Sequence, residues 1–360
     1  MRFPEFSGEW NKYTINDLAT VVGGGTPDTT VKSYWGGDIQ WFTPSEIGKN
    51  KYVDFSKRTI TRDGLDNSSA KLLPLHTILL SSRATVGECS IASNECTTNQ
   101  GFQSLIAKQC NIDFLYYLIQ TKKKDLIRNA CGSTFLEISA NEIRKIKVAV
   151  PVQNEQEQIA KLLSLIDERI ATQNKIIEKL QSLIKGLAAQ LTQSGTPNIR
   201  LCDCLECHSS TLQENCVSVT GSYPVYGATG LIGYTNNYAY NGESILIVKD
   251  GSGVGSLSYV NDHFSVIGTL NYLTAKENYS ILYQYYALMA FNFTPYITGM
   301  AIPHIYFKDY GKAKLFYPSI EKRIRIASLL HNIEQKLVVE QNLVISLSAQ
   351  KSYLLRMLFI

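Results

Sequence analysis

No run in this 360-residue chain approaches the roughly 18 consecutive apolar residues that a bilayer-spanning helix needs, and the opening MRFPEFSGEWNKY has no apolar core of a secretory signal. A soluble, cytoplasmic protein with no membrane partner is expected. A disulfide framework is missing too: the eight cysteines are unevenly spaced and read as reduced intracellular thiols. Net charge is scarce, at +4, which is too mild to announce nucleic acid by itself. Residues 1–150 hold 18 Lys and Arg against 15 Asp and Glu, while residues 196–317 hold 6 against 8, so any DNA-binding reading has to work for a slightly acidic second half.

Catalytic signatures are also lacking. GGGTPDTT, from Gly23, has no Gly-Lys-Ser/Thr ending, so it is not a Walker-type phosphate loop, and GSGVG at 251–255 lies between two strand-like runs without a following helix to hold a phosphate. The chain has no Asn/Asp-Pro-Pro-aromatic motif of amino-methyltransferases, no serine nucleophile elbow and no His-Glu-x-x-His helix. No catalytic, cofactor-binding or metal site is assigned. Cys202, Cys204, Cys207, His208 and Cys216 together have the ligand types for zinc, yet only Cys204 and Cys207 form a knuckle, and thiols buried near a strand explain the cluster equally well.

What the chain does have is an internal repeat. A shift of 167 residues places Pro151 on Pro318, Ile159-Ala160 on Ile326-Ala327, Leu162-Leu163 on Leu329-Leu330, Ile166 on Ile333 and Leu187 on Leu354. The unit is a globular part followed by a helix: globular 1–150, helix 151–195, globular 196–317, helix 318–360.

The helices carry a 3.5-residue period. From Ile159 the positions 163, 166, 170, 173, 177, 180, 184, 187 and 191 are Leu or Ile except Gln173, and the second seam runs Ile326, Leu330, Ile333, Leu337, Glu340, Val344, Leu347, Lys351, Leu354, Leu358. A helix of about 40 residues is about 60 Å long, too long to bury its stripe in one small domain. Two stripes of equal length pair most economically with each other, and the 120-residue insert between them favours antiparallel packing. Lys351 is then expected near Asp167 and Glu168. The globular parts read as mixed α/β (α+β) units. DIQWFTPSEI, TILLSS, ECSIA and IRKIKVAVPV supply strands and FLYYLIQTKKKDLIRNA one helix; ESILIVKD, LSYV and KAKLFYPS, with the helix YSILYQYYALMAF, answer them in the second part.

These residues resemble the specificity (S) subunits of type I restriction-modification systems. The resemblance rests on GGGTPDTTVKSYWGGDIQWFTPSEI, NSSAKLLPLHTILLSSRATVG, TTNQGFQSLI, GSTFLEIS and VAVPVQNEQEQIAKLL in the first half. GSYPVYGATGLIGY, ILIVKDGSGVG and AIPHI through YPSIEKRIRIASLL match more loosely in the second, where SVIGTL and GMAI replace TTNQGF and GSTF. It implies two target-recognition domains, each reading one half of a bipartite double-stranded DNA target, with an antiparallel coil as spacer. It further implies methyltransferase (M) subunits docked on the helices and restriction (R) subunits in the full enzyme, with S-adenosylmethionine, ATP and Mg confined to those partners and no catalysis on this chain.

The expected DNA contacts are Arg83 with Ser82 and Thr85, Asn99 and Gln100, and Ser133 and Thr134 in the first domain. In the second they are Lys249, Asp250 and Ser252, in the loop corresponding to Arg83, with Tyr226 and His304. For Asn99, Gln100, Ser133 and Thr134 the alternative is a hydrogen bond that staples a loop. The polar helix starts, Glu155, Gln156 and Gln158 in the first copy and Arg323 and Arg325 in the second, are expected to dock partners. A coiled-coil scaffold with two ligand domains that bind no DNA is the alternative reading of the whole.

Overall fold

The computed structural model describes residues 2–132 and 135–359; the expected contacts Ser133 and Thr134 lie outside the described residues. The chain divides into two compact units, one of residues up to Gln173 together with those from Leu343 onward, the other of Asn174–Asn342. Each long helix therefore contributes a segment to both.

Along the first unit the elements are β1 (Asn11–Thr14), α1 (Ile15–Leu18), β2 (Ala19–Gly23), β3 (Trp35–Phe42), β4 (Tyr52–Val53), β5 (Arg58–Ile60), α2 (Arg62–Asp66), β6 (Ile78–Leu80), β7 (Cys89–Ala92), β8 (Cys96–Thr98), β9 (Gln103–Ala107), α3 (Ile112–Thr121), α4 (Lys123–Arg128), α5 (Ala140–Lys145), β10 (Lys147–Val150) and the 40-residue helix α6 (Gln153–Thr192). A five-stranded sheet runs β2-β9-β6-β7-β4 and a three-stranded sheet β5-β3-β8, while β1 pairs antiparallel with β10. The apolar runs ILL and CSIA make the central strands β6 and β7, buried on both faces.

Asn111 caps α3 by accepting from the Phe114 amide at 2.9 Å, and six consecutive residues of that helix, Phe114 to Ile119, are buried. The single helix expected over FLYYLIQTKKKDLIRNA is broken at Lys122, whose backbone (φ −90°, ψ 4°) leaves the helical region, and the second segment then turns Leu126 into the core. Periodicity alone does not show such a turn, because the apolar spacing nearly continues across it.

The second unit contains β11 (Ile199–Arg200), α7 (Leu201–Cys204), β12 (Leu205–Ser209), β13 (Tyr223–Gly227), β14 (Gly230–Thr235), β15 (Tyr240–Val248), β16 (Leu257–Val266), β17 (Leu270–Ala275), α8 (Ile281–Met289), α9 (Phe307–Tyr310), β18 (Lys314–Leu315) and the 39-residue α10 (Ile320–Leu358). Its six strands run β12-β17-β15-β16-β13-β14, and β11 pairs with β18 as β1 does with β10. Ser280 caps α8 at the Tyr283 amide.

Every seam position named from the 3.5-residue period in α6 and α10 is buried or half-buried. In the first unit, Ile159, Leu163 and Ile166 share one core with Leu354 and Leu358. Direction follows from the two ends of that contact. Lys351 Nζ sits 2.7 Å from Asp167 Oδ1, whereas Phe359 packs against Trp10, whose indole donates to Glu155 at the other end of the α6 segment. The segments run antiparallel, and the Lys351–Asp167 pair forms as the sequence suggests. In the second unit Ala188, Ile326, Ala327 and Leu330 share a core. There Ala188 and Thr192 are the deepest positions of α6, one residue past the seam members Leu187 and Leu191. A straight helix of 3.6 residues per turn drifts off a 3.5 repeat over such a length.

The repeat extends to how each domain grips its helix. Tyr117 on α3 donates to Asp167 Oδ2 at 2.7 Å; Tyr285 and Tyr286 on α8 donate to the two oxygens of Glu334 at 2.9 and 2.7 Å, and Glu334 stands 167 residues after Asp167. Burial, reinforced by the neighbouring carboxylate, pushes these tyrosine hydroxyls far above their usual range, so they remain protonated donors. Among the described residues no helix is long and apolar enough to cross a membrane.

Candidate nucleic-acid interface

In the first unit the backbone of Ser82, just past β6, ties three segments together. Its N–H donates to Gly101 O at 2.8 Å and its carbonyl accepts from the Ile138 N–H at 2.9 Å. This junction places Arg83 beside the Asn99–Gly101 turn and beside Glu137, to which Arg83 and Cys131 both bridge. The following residue, Ala84, adopts a left-handed backbone (φ 62°), and its N–H donates to Leu136 O at 3.1 Å. An L-residue there costs about 1 kcal/mol relative to glycine, so the tight turn presenting Arg83 is held by its surroundings.

The second unit builds the same junction from different residues. Lys249 N–H donates to Thr269 O and Lys249 O accepts from Ile305 N–H, each at 3.0 Å. Asp250 and Thr298 bridge to His304, as Arg83 and Cys131 do to Glu137. Gly251 takes the position of Ala84, with φ 97° and its N–H 2.8 Å from Pro303 O. SVIGTL and GMAI thus occupy the places of TTNQGF and GSTF, because backbone hydrogen bonds, which do not read side-chain identity, define the frame.

Beside each bridge stands a positive-φ glycine, Gly132 (130°) and Gly299 (89°), and apolar side chains nearby in sequence reach the surface in both units. Phe135 and Leu136 are exposed in one, Met300 and Ile302 in the other. These residues and Glu137 were not selected from the sequence; the signal that finds them is the register of the repeat, which maps Phe135 onto Ile302 and Glu137 onto His304.

The named side chains differ in availability. Arg83 and Glu137 stand 3.8 Å apart with about half of each side chain exposed, an ion pair worth at most about 1 kcal/mol that holds Arg83 only loosely. Thr85 is exposed, with its hydroxyl 2.9 Å from Ser81 Oγ. Ser82 is corrected: its side chain is fully buried, and its backbone does the work. Asn99 is half-buried and its Oδ1 accepts from the Gly101 N–H at 2.9 Å, the turn-stapling bond given above as its alternative role. Gln100 is exposed and accepts from Thr26 Oγ1.

In the second unit Lys249 Nζ and Asp250 Oδ2 pair at 2.7 Å, Ser252 is exposed, and His304 turns Nδ1 toward Ile302 O at 3.2 Å with its ring edge-on to Tyr306. Tyr226 lies on β13, half-buried, with its ring edge-on to Phe264 at the margin of a core and its hydroxyl raised above the usual range chiefly by burial.

The helix-start residues split. Glu155 is fully buried: Arg2 Nε and Nη2 donate to its two oxygens at 2.7 Å each and Trp10 adds a third bond at 3.3 Å. Gln156 accepts from the Asn111 N–H at 3.0 Å and donates to Pro151 O at 3.0 Å. Burial corrects the docking expectation for both; they anchor the helix start. Arg323, 167 residues on, repeats the Gln156 bond by donating to Pro318 O at 2.6 Å and lies over the Tyr317 ring. Gln158 and Arg325 are exposed.

In the cysteine cluster, Cys204 is buried against its own helix carbonyls with its thiol pushed up to about 12, Cys202 and Cys207 are half-buried, and Cys216 is exposed. Among the described residues no three metal-ligating side chains gather at one point.

A duplicated frame of this kind has a counterpart among known proteins. The description of the type I restriction modification DNA specificity domain matches twice, over residues 7–182 and 199–347. The chain belongs to this family. Within the family it is similar to the MjaIX specificity subunit of Methanocaldococcus jannaschii, 39% identical over 183 residues that cover 48% of this chain and 42% of that protein. It is also similar to the EcoprrI specificity subunit of Escherichia coli, 25% identical over 91% of this chain and 87% of the relative. It thus spans less than half of the first and most of the second. The S subunit of a type I restriction-modification system from M. genitalium shares the fold over 100% of this chain and 99% of its own, with a TM-score of 0.67 at 19% identity. Family membership favours the DNA-specificity reading over the non-DNA scaffold.

Proposed function

We propose that this chain is the DNA-specificity subunit of a type I restriction-modification complex acting in the cytoplasm, in which each globular domain reads one half of a bipartite double-stranded target. The observation that carries this reading is the duplicated junction at Ser82 and Lys249. One backbone frame, repeated 167 residues apart, presents different side chains: Arg83 and Glu137 in one domain, Asp250 and His304 in the other. That is what two readers of different half-sites require, since the frame conserves position while the side chains set hydrogen-bond pattern.

The long helices serve as the spacer, and half-sites must then be separated consistently with the roughly 34 Å repeat of DNA. Methyltransferase subunits dock on the helices, using exposed positions such as Gln158 and Arg325, and restriction subunits join in the full enzyme. The chain itself catalyses nothing; S-adenosylmethionine, ATP and Mg belong to the partners. The slightly acidic second domain gains electrostatic affinity from those neighbours.

The test is retention of random-pool duplexes by the complex with its methyltransferase subunits at several salt concentrations. A single bipartite consensus should emerge, and Arg83→Ala should weaken binding by about 1–3 kcal/mol. Enrichment of no sequence would reject the reading.

A further inference from the structure

Outside the junction, the three-stranded sheet of the first domain carries an arginine with an unusual mounting. The guanidinium carbon of Arg58 lies 3.6 Å from the centroid of the Trp35 ring and 5.6 Å from that of Trp41. The two indoles meet edge-to-face at 5.0 Å, and each is fixed by its N–H: Trp41 donates to Gly25 O at 2.9 Å, Trp35 to Asp28 O at 3.1 Å. Arg58 pairs across the ladder with Trp41, so both side chains stand on the same face, yet Trp41 is buried and Arg58 is exposed. Among the described residues no carboxylate pairs with it.

A guanidinium carbon 3.6 Å over an indole centroid is at stacking distance, a mounting that covers the ring face and leaves N–H groups of the fork to donate elsewhere. The stack removes much of the rotamer freedom that a directional contact would otherwise lose on binding. The mounting also belongs to the surface already described. The loop that fixes both indoles carries Thr26, which donates to Gln100, and Gln100 precedes Gly101, the acceptor at the Ser82 junction beside Arg83. Phe55, 80% exposed, lies on the β4–β5 connection that leads into Arg58.

Resting on the functional reading above, we propose that Arg58 is a specificity-determining residue of the first domain, donating in fork geometry to the O6 and N7 edge of a guanine in its half-site. A fork held in one plane fits that edge, whereas a phosphate contact needs only charge.

The experiment measures binding of the assembled complex to its selected duplex and to duplexes in which each base pair is exchanged singly. Wild type, Arg58→Ala and Arg58→Lys are compared. The substitutions are at an exposed side chain, and circular dichroism checks that they fold. Arg58→Ala should weaken binding to the selected duplex about tenfold to a hundredfold, and the penalty at one G·C pair should collapse to about twofold while the others persist. Arg58→Lys should fail to restore discrimination at that pair. The proposal is overturned if Arg58→Ala keeps every penalty, or if it weakens all duplexes equally and Arg58→Lys restores them, which is the signature of a phosphate contact. A wild-type complex that prefers no duplex overturns the functional reading and this inference together; preference with an unchanged Arg58→Ala overturns the inference alone.

Discussion

Asp167 is the point at which the first globular domain, its own helix and the returning end of α10 are held by one carboxylate, and its removal should be felt in full by that unit. One oxygen accepts from Tyr117 at 2.7 Å and the other from Lys351 at 2.7 Å. Tyr117 is fully buried, and its remaining partner, Ser164 Oγ, lies at 3.4 Å. A hydrogen bond to a charged acceptor contributes about 1.5–3 kcal/mol. The ion pair is about four-fifths buried on both sides, which places it between the exposed class, worth 0–1 kcal/mol, and the fully buried class, whose rupture costs about 3–5. Lys351 keeps the Tyr117 ring 5.4 Å away, which offsets part of its loss. Asp167→Ala should therefore destabilise the unit by about 3 kcal/mol, and urea unfolding should shift down by about 1 M at the slope typical of this size. All three tryptophans, Trp10, Trp35 and Trp41, lie in this unit, so their fluorescence follows its transition alone. Tyr117→Phe should cost about 1–2 kcal/mol, and the double variant should fall short of the sum by at least about 1 kcal/mol. A shift below about 0.5 kcal/mol for Asp167→Ala, or additive single variants, would show that the carboxylate does not couple the three elements.

Three further outcomes are expected. Ala84→Gly should raise stability by about 0.5–1 kcal/mol in thermal unfolding by relieving the left-handed backbone, whereas Gly299→Ala should lower it by about 1–3 kcal/mol, since a Cβ there meets Ile302 O at 2.3 Å on a φ of 89°. The buried thiols of Cys89 and Cys96 are raised from about 9 to about 12 by burial, so the unfolded chain ionises first: stability present below pH 9 should decline as pH climbs toward 12, and replacing both with alanine should flatten that slope in circular dichroism, at whatever cost in packing. Glu155→Ala should lower the midpoint of urea unfolding, because Arg2 then loses both charge-assisted bonds at the helix start; an effect seen only when partners are present would restore Glu155 to a docking role.

Much of the architecture is readable from residue order because it depends on period. The alternation of fours and threes from Ile159 and from Ile326 is most economically satisfied by helix against helix, and the position of Lys351 in that seam already points toward Asp167. The candidate site was less legible. Ser82 and Asn99 look like contact residues in a string, being polar and in a loop, but in space one is buried and the other closes a turn. Glu155 and Gln156 misled in the same way: a polar helix start is indistinguishable from a docking face until Arg2 and Asn111, far off in sequence, are brought against it.

The sequence by itself determined that there are two copies of one unit, that each ends in a helix longer than its domain, and that the two helices share a seam; periodicity and repetition are local properties and survive without coordinates. Only the tertiary structure decided which side chains face outward. The equivalence of Ser82 with Lys249, of Ala84 with Gly251 and of Glu137 with His304 is carried by backbone hydrogen bonds, which tolerate any side chain and so leave little trace in residue identity. The stacking of Arg58 on Trp35 likewise depends on a ladder register and a loop closure that no spacing rule encodes.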